Sequence, residues 1–230
     1  MTALTVVPVE GVPEIHPGDE LAAIIAGVAE LADGDVVVVT QKVVSKAEGR
    51  LVAIDGEEGR RRLVEQESVR VLRRREELVI SETAHGFVCA NAGVDVSNVD
   101  DGVAALLPVD ADRSARHIRD GLRARAGVEV GVIVSDTFGR PWRRGLVDVA
   151  IGCAGVAAVA DLRGTTDTRG RTLQATEVAI ADEVAAAAEL VMGKDSGIPV
   201  AVVRGVDSRW LRESSVGTEV VRPYGEDLFR

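Results

Sequence analysis

Aromatic side chains are nearly absent from this chain: Phe, Trp and Tyr make up 3% of 230 residues, while hydrophobic residues as a whole make up 46%. A core of that composition has to be built from Val, Ala, Leu and Ile, and the length allows one large domain or two small ones. Cysteine is almost as scarce. Cys89 and Cys153 offer no disulfide framework and no zinc-type spacing. Cys153 has no histidine close in sequence, so it reads as a buried thiol and not as a nucleophile. No apolar run approaches the ~20 residues of a membrane span. The opening MTALTVVPVEG lacks the basic and apolar regions of a secretion signal. A cytoplasmic protein is the expectation. The net charge of -10 argues against general nucleic-acid affinity.

Lysine is the most informative scarcity. Of 27 basic residues only Lys42, Lys46 and Lys194 are lysines. A compact ammonium suits a tight phosphate pocket better than a planar fork does. An arginine-rich composition with three leftover lysines is the competing reading. Nucleotide fingerprints are missing as well. There is no G-x-x-x-x-G-K-[ST] loop and no G-x-G-x-x-G turn, so a P-loop and a Rossmann turn are both excluded.

What is present centres on Glu129–Gly145, EVGVIVSDTFGRPWRRG. Val130 to Val134 reads as a buried strand ending at Ser135-Asp136-Thr137, with a turn at Gly139 and Pro141 and with Arg140, Arg143 and Arg144 beyond. An acid and two hydroxyls at a strand end, followed by cations, suit a metal-bound phosphate. They equally suit a capped turn. Phe138 and Trp142 flank this loop, and two readings are open for them: core packing, which base rates for large aromatics favour, and a border for a bound ligand. A second acid-bearing loop, Asn91 to Asn98 (NAGVDVSN), carries Asp95 among small residues and amides. Two such loops favour a shared divalent cation, and oxygen ligands without Cys or His select magnesium or manganese.

The rest of the chain alternates loosely between strands and helices. Leu4–Val9 reads as a strand, ELAAIIAGVAEL as a helix introduced by Asp19, and VVVVT as a buried strand. QKVVSKAEGR follows, with Lys42 and Lys46 on one face whether it is helix or strand. The segment from Arg60 to Leu78 reads as one basic helix whose interleaved glutamates mark a solvated face. Val109–Gly127 is a helix with Ala115, Ile118, Leu122 and Ala126 as its apolar stripe. A further helix, capped by Thr176 and closed by Gly193, leads to the strand IPVAVVRG. His16 and His117 read as turn and surface residues. The fold class is α+β: mixed sheets with flanking helices around a largely buried sheet.

TQKVVSKAEGR, NAGVDVSN, SDTFGRPWRRG and MGKDSGIPVAVVRG together resemble the coenzyme F-420 γ-glutamyl ligase family (coenzyme F-420-0:L-glutamate ligase), over nearly the whole chain to about Gly205. The resemblance implies a family-specific fold in an intertwined homodimer. It implies a GTP-dependent ligase that adds L-glutamate to the carboxylate of the deazaflavin F-420 precursor and extends a γ-linked tail. By the same resemblance, Asp95 and Asp136 hold a manganese or magnesium ion and Thr137 a second one, with a monovalent ion such as potassium left open. GTP is placed against Val12, Pro13, Glu14, Ile15, Gln41, Lys46 and Asn98, with Asp95, Asp136 and Lys46 serving catalysis. The loop carrying Lys194 matches a nucleotide loop in place. Residues 1–205 correspond to the ligase domain and 206–230 to a tail, which in actinobacterial members leads into a nitroreductase-like domain. A metal-dependent phosphotransferase and a non-catalytic GTP-binding partner remain as alternatives.

Overall fold

Four consecutive valines, Val36 to Val39, are each 0% exposed. A strand apolar on both faces is stable only when both are covered, and each such side chain contributes on the order of 1.5–3 kcal/mol by leaving water. A computed structural model describing residues 3–228 shows how this is achieved.

The first half comprises β1 (Thr5–Pro8), α1 (Leu21–Val28), β2 (Val36–Thr40), α2 (Gln41–Ala47), β3 (Leu51–Ala53) and α3 (Gly56–Glu67). It continues with β4 (Ser68–Arg75), β5 (Leu78–Thr83), β6 (Val88–Ala90), β7 (Val103–Ala105) and α4 (Ala111–Ala126). The second half comprises β8 (Gly131–Arg140), β9 (Arg143–Ala154), β10 (Ala160–Asp161), β11 (Glu177–Val178), α5 (Ile180–Met192), β12 (Val200–Arg204) and α6 (Val216–Glu219).

The main sheet has the order β1-β12-β2-β8-β9, with β2 and β8 parallel and the other pairs antiparallel. The period of 2 along its strands sorts their side chains into two cores. Val37, Val39, Val132 and Val134 pack with Ile25 of α1 and with Ile118 and Leu122 of α4. Val36, Val38 and Ile133 pack on the other face with Ala181, Ala185 and Met192 of α5. A third core of Leu63, Val64, Val79, Val94, Ala104 and Leu106 lies under the smaller sheets β4-β5-β6 and β3-β7. Mixed helices and sheets of this kind make the class α+β.

Several local expectations need correction. The segment from Arg60 to Leu78 is not one helix. It is helical to Glu67 and then becomes β4, because Ser68-Val69-Arg70-Val71 alternates and pairs with β5. Charge pairs Arg61–Glu77, Arg74–Glu65 and Arg70–Glu82 lace helix and strands together. Thr176 does not cap α5. Glu177 and Val178 are held in the β10–β11 ladder, so the helix begins only at Ile180. Asp19 closes a turn by accepting from the His16 amide at 2.7 Å. Ala126 faces solvent, whereas Ala115, Ile118 and Leu122 are buried as expected. Asp110 caps α4, accepting from the Arg113 amide at 2.8 Å, and Gly127 ends it with φ 68°.

The stretch after residue 205 packs onto the second core through Val206, Trp210, Leu211, Val216 and Val220. Asp112 of α4 fastens it, accepting from the amides of Val216 at 2.8 Å and Gly217 at 3.0 Å as well as from Cys153 of β9 at 2.8 Å.

Candidate active site

β2 ends at Thr40, paired with Ser135, but β8 does not stop there. It runs on as a two-stranded ribbon with β9, irregular in register at Val134/Ser135 and at Gly139/Arg140. Asp136 therefore stands within a strand, at the point where the sheet narrows from three neighbours to two. The arginines beyond it are at the ribbon tip, where Arg140 donates to the carbonyl of Arg144 at 2.6 Å, and they do not line the cleft described below. Trp142, 85% exposed at the same tip, belongs neither to core nor to cleft. Phe138 does line the cleft and meets Phe87 edge-on at 6.1 Å.

The cleft, about 850 Å³, opens beside this ribbon, a size suited to a small organic ligand. Into it come the Val12–Ile15 turn, the start of α2, the loop from Asn91 to Asn98, the β8–β9 ribbon and the loop after α5. Every residue placed on metal or nucleotide by the resemblance lines it: Val12, Pro13, Glu14, Ile15, Gln41, Lys46, Asp95, Asn98, Asp136 and Thr137. All three lysines of the chain line it too.

α2 is the helix that the spacing of Lys42 and Lys46 had left open, and both side chains reach the cleft from it. Lys42 Nζ pairs with Asp95 Oδ2 at 2.9 Å and donates to the carbonyl and hydroxyl of Ser97 at 2.6 and 2.8 Å. Lys46 Nζ pairs with Glu14 Oε1. Gln41 borders the cleft, but its side chain is tied into the interior. It is 2% exposed, and its amide nitrogen donates to Ser45 Oγ at 2.6 Å and to the Leu106 carbonyl at 2.9 Å.

Asp95 is set by backbone geometry. A run of left-handed residues, Asn91 (φ 50°), Ala92 (φ 53°) and Gly93 (φ 72°), bends the chain into the loop. Gly93 could not carry a side chain there, since a Cβ would stand 2.7 Å from Leu107. The backbone of Asp95 then exchanges both hydrogen bonds with Ala105, at 3.0 and 2.8 Å, which pins the carboxylate. Burial opposes its charge, yet hydrogen bonds from Lys42 and Ser97 outweigh that and hold the carboxyl below the ordinary range.

Asp136 is the opposite case. Burial, with Asp95 and Asp148 as like-charged neighbours, pushes its carboxyl up to about 7, against the opposing pull of the Thr137 amide and Lys194. Asp148 is a residue the motifs did not reveal. It lies on β9, is 1% exposed, and accepts from Ser135 Oγ at 3.1 Å and Thr137 Oγ1 at 2.5 Å. The available signal was the acid inside an otherwise apolar LVDVAIG, since an unpaired Asp is almost never fully buried. Lys194, just past the Gly193 that ends α5, pairs with Asp148 Oδ1 at 3.3 Å and Glu189 Oε1 at 3.4 Å and donates to Thr137 Oγ1. Cys89 also borders the cleft, but burial pushes its thiol up to about 12, so it stays protonated.

Asp95 and Asp136 suit a hard divalent ion. Both are oxygen donors, and among the described residues no cation pairs directly with Asp136, on which Lys194 acts only at longer range. Among the described residues no three Asp, Glu, His or Cys side chains form a closed cage. Two carboxylates with the remaining positions left to water and phosphate is the arrangement magnesium-type ions prefer. The Thr137 hydroxyl is different, because Lys194 already stands on it.

A family model described as F420-0:Gamma-glutamyl ligase matches residues 11–205. The coenzyme F420:L-glutamate ligase of Methanothermobacter thermautotrophicus is 43% identical over 99% of this chain and 99% of its own. That of Methanopyrus kandleri is 43% identical over 100% of both, and that of Haloarcula marismortui 43% over 89% and 88%. The cleft lined by the VPEI turn, the two aspartate loops and the three lysines is thus carried by a chain that belongs to the F420-0:gamma-glutamyl ligase family.

Proposed function

We propose that this chain joins L-glutamate to the carboxylate of the deazaflavin F-420 precursor at the expense of GTP, and then extends the tail through γ-linkages. The observation that carries this reading is the convergence of all three lysines on one cleft that also holds Asp95 and Asp136. Membership of the ligase family narrows the chemistry.

A carboxylate is a poor acyl donor because oxide would have to leave. Transfer of the GTP γ-phosphoryl group to it forms an acyl phosphate and releases GDP. Attack by the glutamate amine then forms the amide and releases phosphate, with loss of the amine protons to solvent. The first step brings two anions together, so its barrier is mainly electrostatic. Lys46 neutralises phosphate charge from α2, exchanging its partner Glu14 for the ligand. Lys42 keeps Asp95 ionised, and the Asp95–Ala105 pairing keeps that carboxylate fixed while phosphate charge shifts. Val12, Pro13 and Ile15 form the apolar wall against which GTP lies, with Asn98 as a polar contact. Asp95 and Asp136 would hold magnesium or manganese, which when bound supplies Lewis-acid neutralisation of the phosphate oxygens. The working unit in this reading is a homodimer. No helix among the described residues is long and apolar enough to cross a membrane.

Phosphate release from GTP that requires both glutamate and the deazaflavin precursor tests the reaction. Release without glutamate marks a phosphotransferase instead, and GTP binding without any release marks a non-catalytic partner. Exhaustive chelation is expected to stop ligation, and manganese or magnesium to restore it. Full turnover after chelation rejects the metal assignment.

Lys46→Ala is expected to weaken GTP binding about 10- to 100-fold, the range for charge-assisted hydrogen bonds to phosphate. Lys46→Arg should restore only part of it, because the fork is larger than the space an ammonium fills. Calorimetric titration with GTP measures this, and unchanged affinity in the alanine variant returns Lys46 to a purely structural pair with Glu14.

A further inference from the structure

Lys194 is placed unlike the other two lysines. It follows the residue that ends α5 and reaches back across the β8–β9 ribbon, so that its ammonium sits among oxygens of three different elements. Asp148 Oδ1 lies at 3.3 Å, Glu189 Oε1 at 3.4 Å, and the Thr137 hydroxyl accepts from it directly. Among the described residues Asp148, 1% exposed, has Ser135 and Thr137, both neutral, as its other hydrogen-bonded side-chain donors. A buried carboxylate with two neutral donors needs a cation beside it, and the ammonium is that cation.

We propose that the Lys194 ammonium is a built-in cation that occupies the Thr137–Asp148–Glu189 oxygen cluster in place of a second divalent ion, so that the chain takes up one divalent ion, at Asp95 and Asp136. This rests on the reading of Asp95 and Asp136 as ion ligands. A tethered charge has a consequence that a dissociable one has not. It is present at any metal concentration, so turnover depends on a single ion-binding event. It also costs no water stripping from a magnesium-type ion, which gives up water reluctantly.

Removing the ammonium should open the cluster. Lys194→Gln leaves Thr137, Asp148 and Glu189 in place without a charge to balance two carboxylates. The side chain of Lys194 is 60% exposed, so the substitution leaves the cores intact. Lys194→Met, equally long but without a donor, serves as the second variant. The measurement is the number of manganese ions held per chain, from electron paramagnetic resonance of free Mn²⁺ during titration, repeated with GDP bound. The expected result is one ion for the unaltered protein and two for Lys194→Gln and Lys194→Met. Asp148→Asn added to Lys194→Gln should return the count to one. Two ions on the unaltered protein, or one ion of unchanged affinity on all variants, would overturn the proposal while leaving the Asp95–Asp136 ion standing. No ion on the unaltered protein or any variant would overturn both.

Discussion

Asp136→Asn is expected to abolish ligation and yet to raise the melting temperature of the metal-free protein above neutral pH. The substitution keeps the shape and one oxygen but removes the charge that would balance a cation, so turnover should fall on the order of a thousandfold or more. The stability effect has the opposite sign and a definite pH window. In the folded chain the Asp136 carboxyl keeps its proton up to about pH 7, because burial, Asp95 and Asp148 disfavour its charge. In the unfolded chain it loses that proton near 4. Between those values the folded state binds more protons, so raising the pH favours unfolding. At pH 8 the ionised group destabilises the metal-free fold by on the order of 2–4 kcal/mol, several degrees for a chain of this size. Asparagine removes that whole penalty at pH 8 and about a third as much at pH 5, where the window has only begun. Asp95→Asn should lose ligation alike, and the double variant little more than either single one. Melting curves at the two pH values with manganese titrations decide the matter. Near-normal ligation by Asp136→Asn, or a lower melting temperature at pH 8, would make Asp136 a structural cap.

The largest loss of stability is expected at Gly152→Ala. Gly152 lies on β9 opposite Val134, and a Cβ there would stand 2.2 Å from the Ala111 carbonyl carbon and 2.6 Å from the Asp112 amide nitrogen. Those atoms are backbone of the first turn of α4, so no side chain can swing aside. Relief requires α4 to move off the sheet, which breaks the hydrogen bond from the Cys153 amide to Asp112 and strips contacts from Ala115 and Ile118. A cost above about 3 kcal/mol follows, at the upper end for overpacking. The register irregularity at Val134/Ser135 is directly opposite, so whatever fraction folds should also place Asp136 poorly. Urea unfolding of Gly152→Ala beside Gly139→Ala, where a Cβ meets nothing within 4 Å, isolates the effect. Equal stability of the two would show that α4 and β9 have slack that the packing does not suggest.

By itself the amino-acid sequence determined those features that depend on neighbours along the chain. Val36 to Val39 had to be a strand covered on both faces, since no amphipathic element carries four adjacent valines. Ala115, Ile118 and Leu122 marked one helix face by spacing alone. The two aspartate loops stood out because acids and small residues interrupt apolar runs. Where two local patterns competed, tertiary contacts decided. Arg60 to Leu78 carries helical charge spacing throughout, but ladder bonds to β5 turn its second half into β4. QKVVSKA is a helix because β2 ends at Thr40 and Gln41 can bond Ser45 one turn on. Strand β8 runs past Ser135 because β9 continues beside it, which no local signal announces. The scarcity of lysine was visible in the sequence, yet two meanings fitted it equally. Only folding shows that residues 42, 46 and 194 share one cleft, since their separation in the chain says nothing of distance in space. Asp148 escaped notice for the same reason: its partners Ser135, Thr137 and Lys194 come from other strands and loops, and a charge becomes a site when the groups that compensate it arrive from elsewhere in the fold.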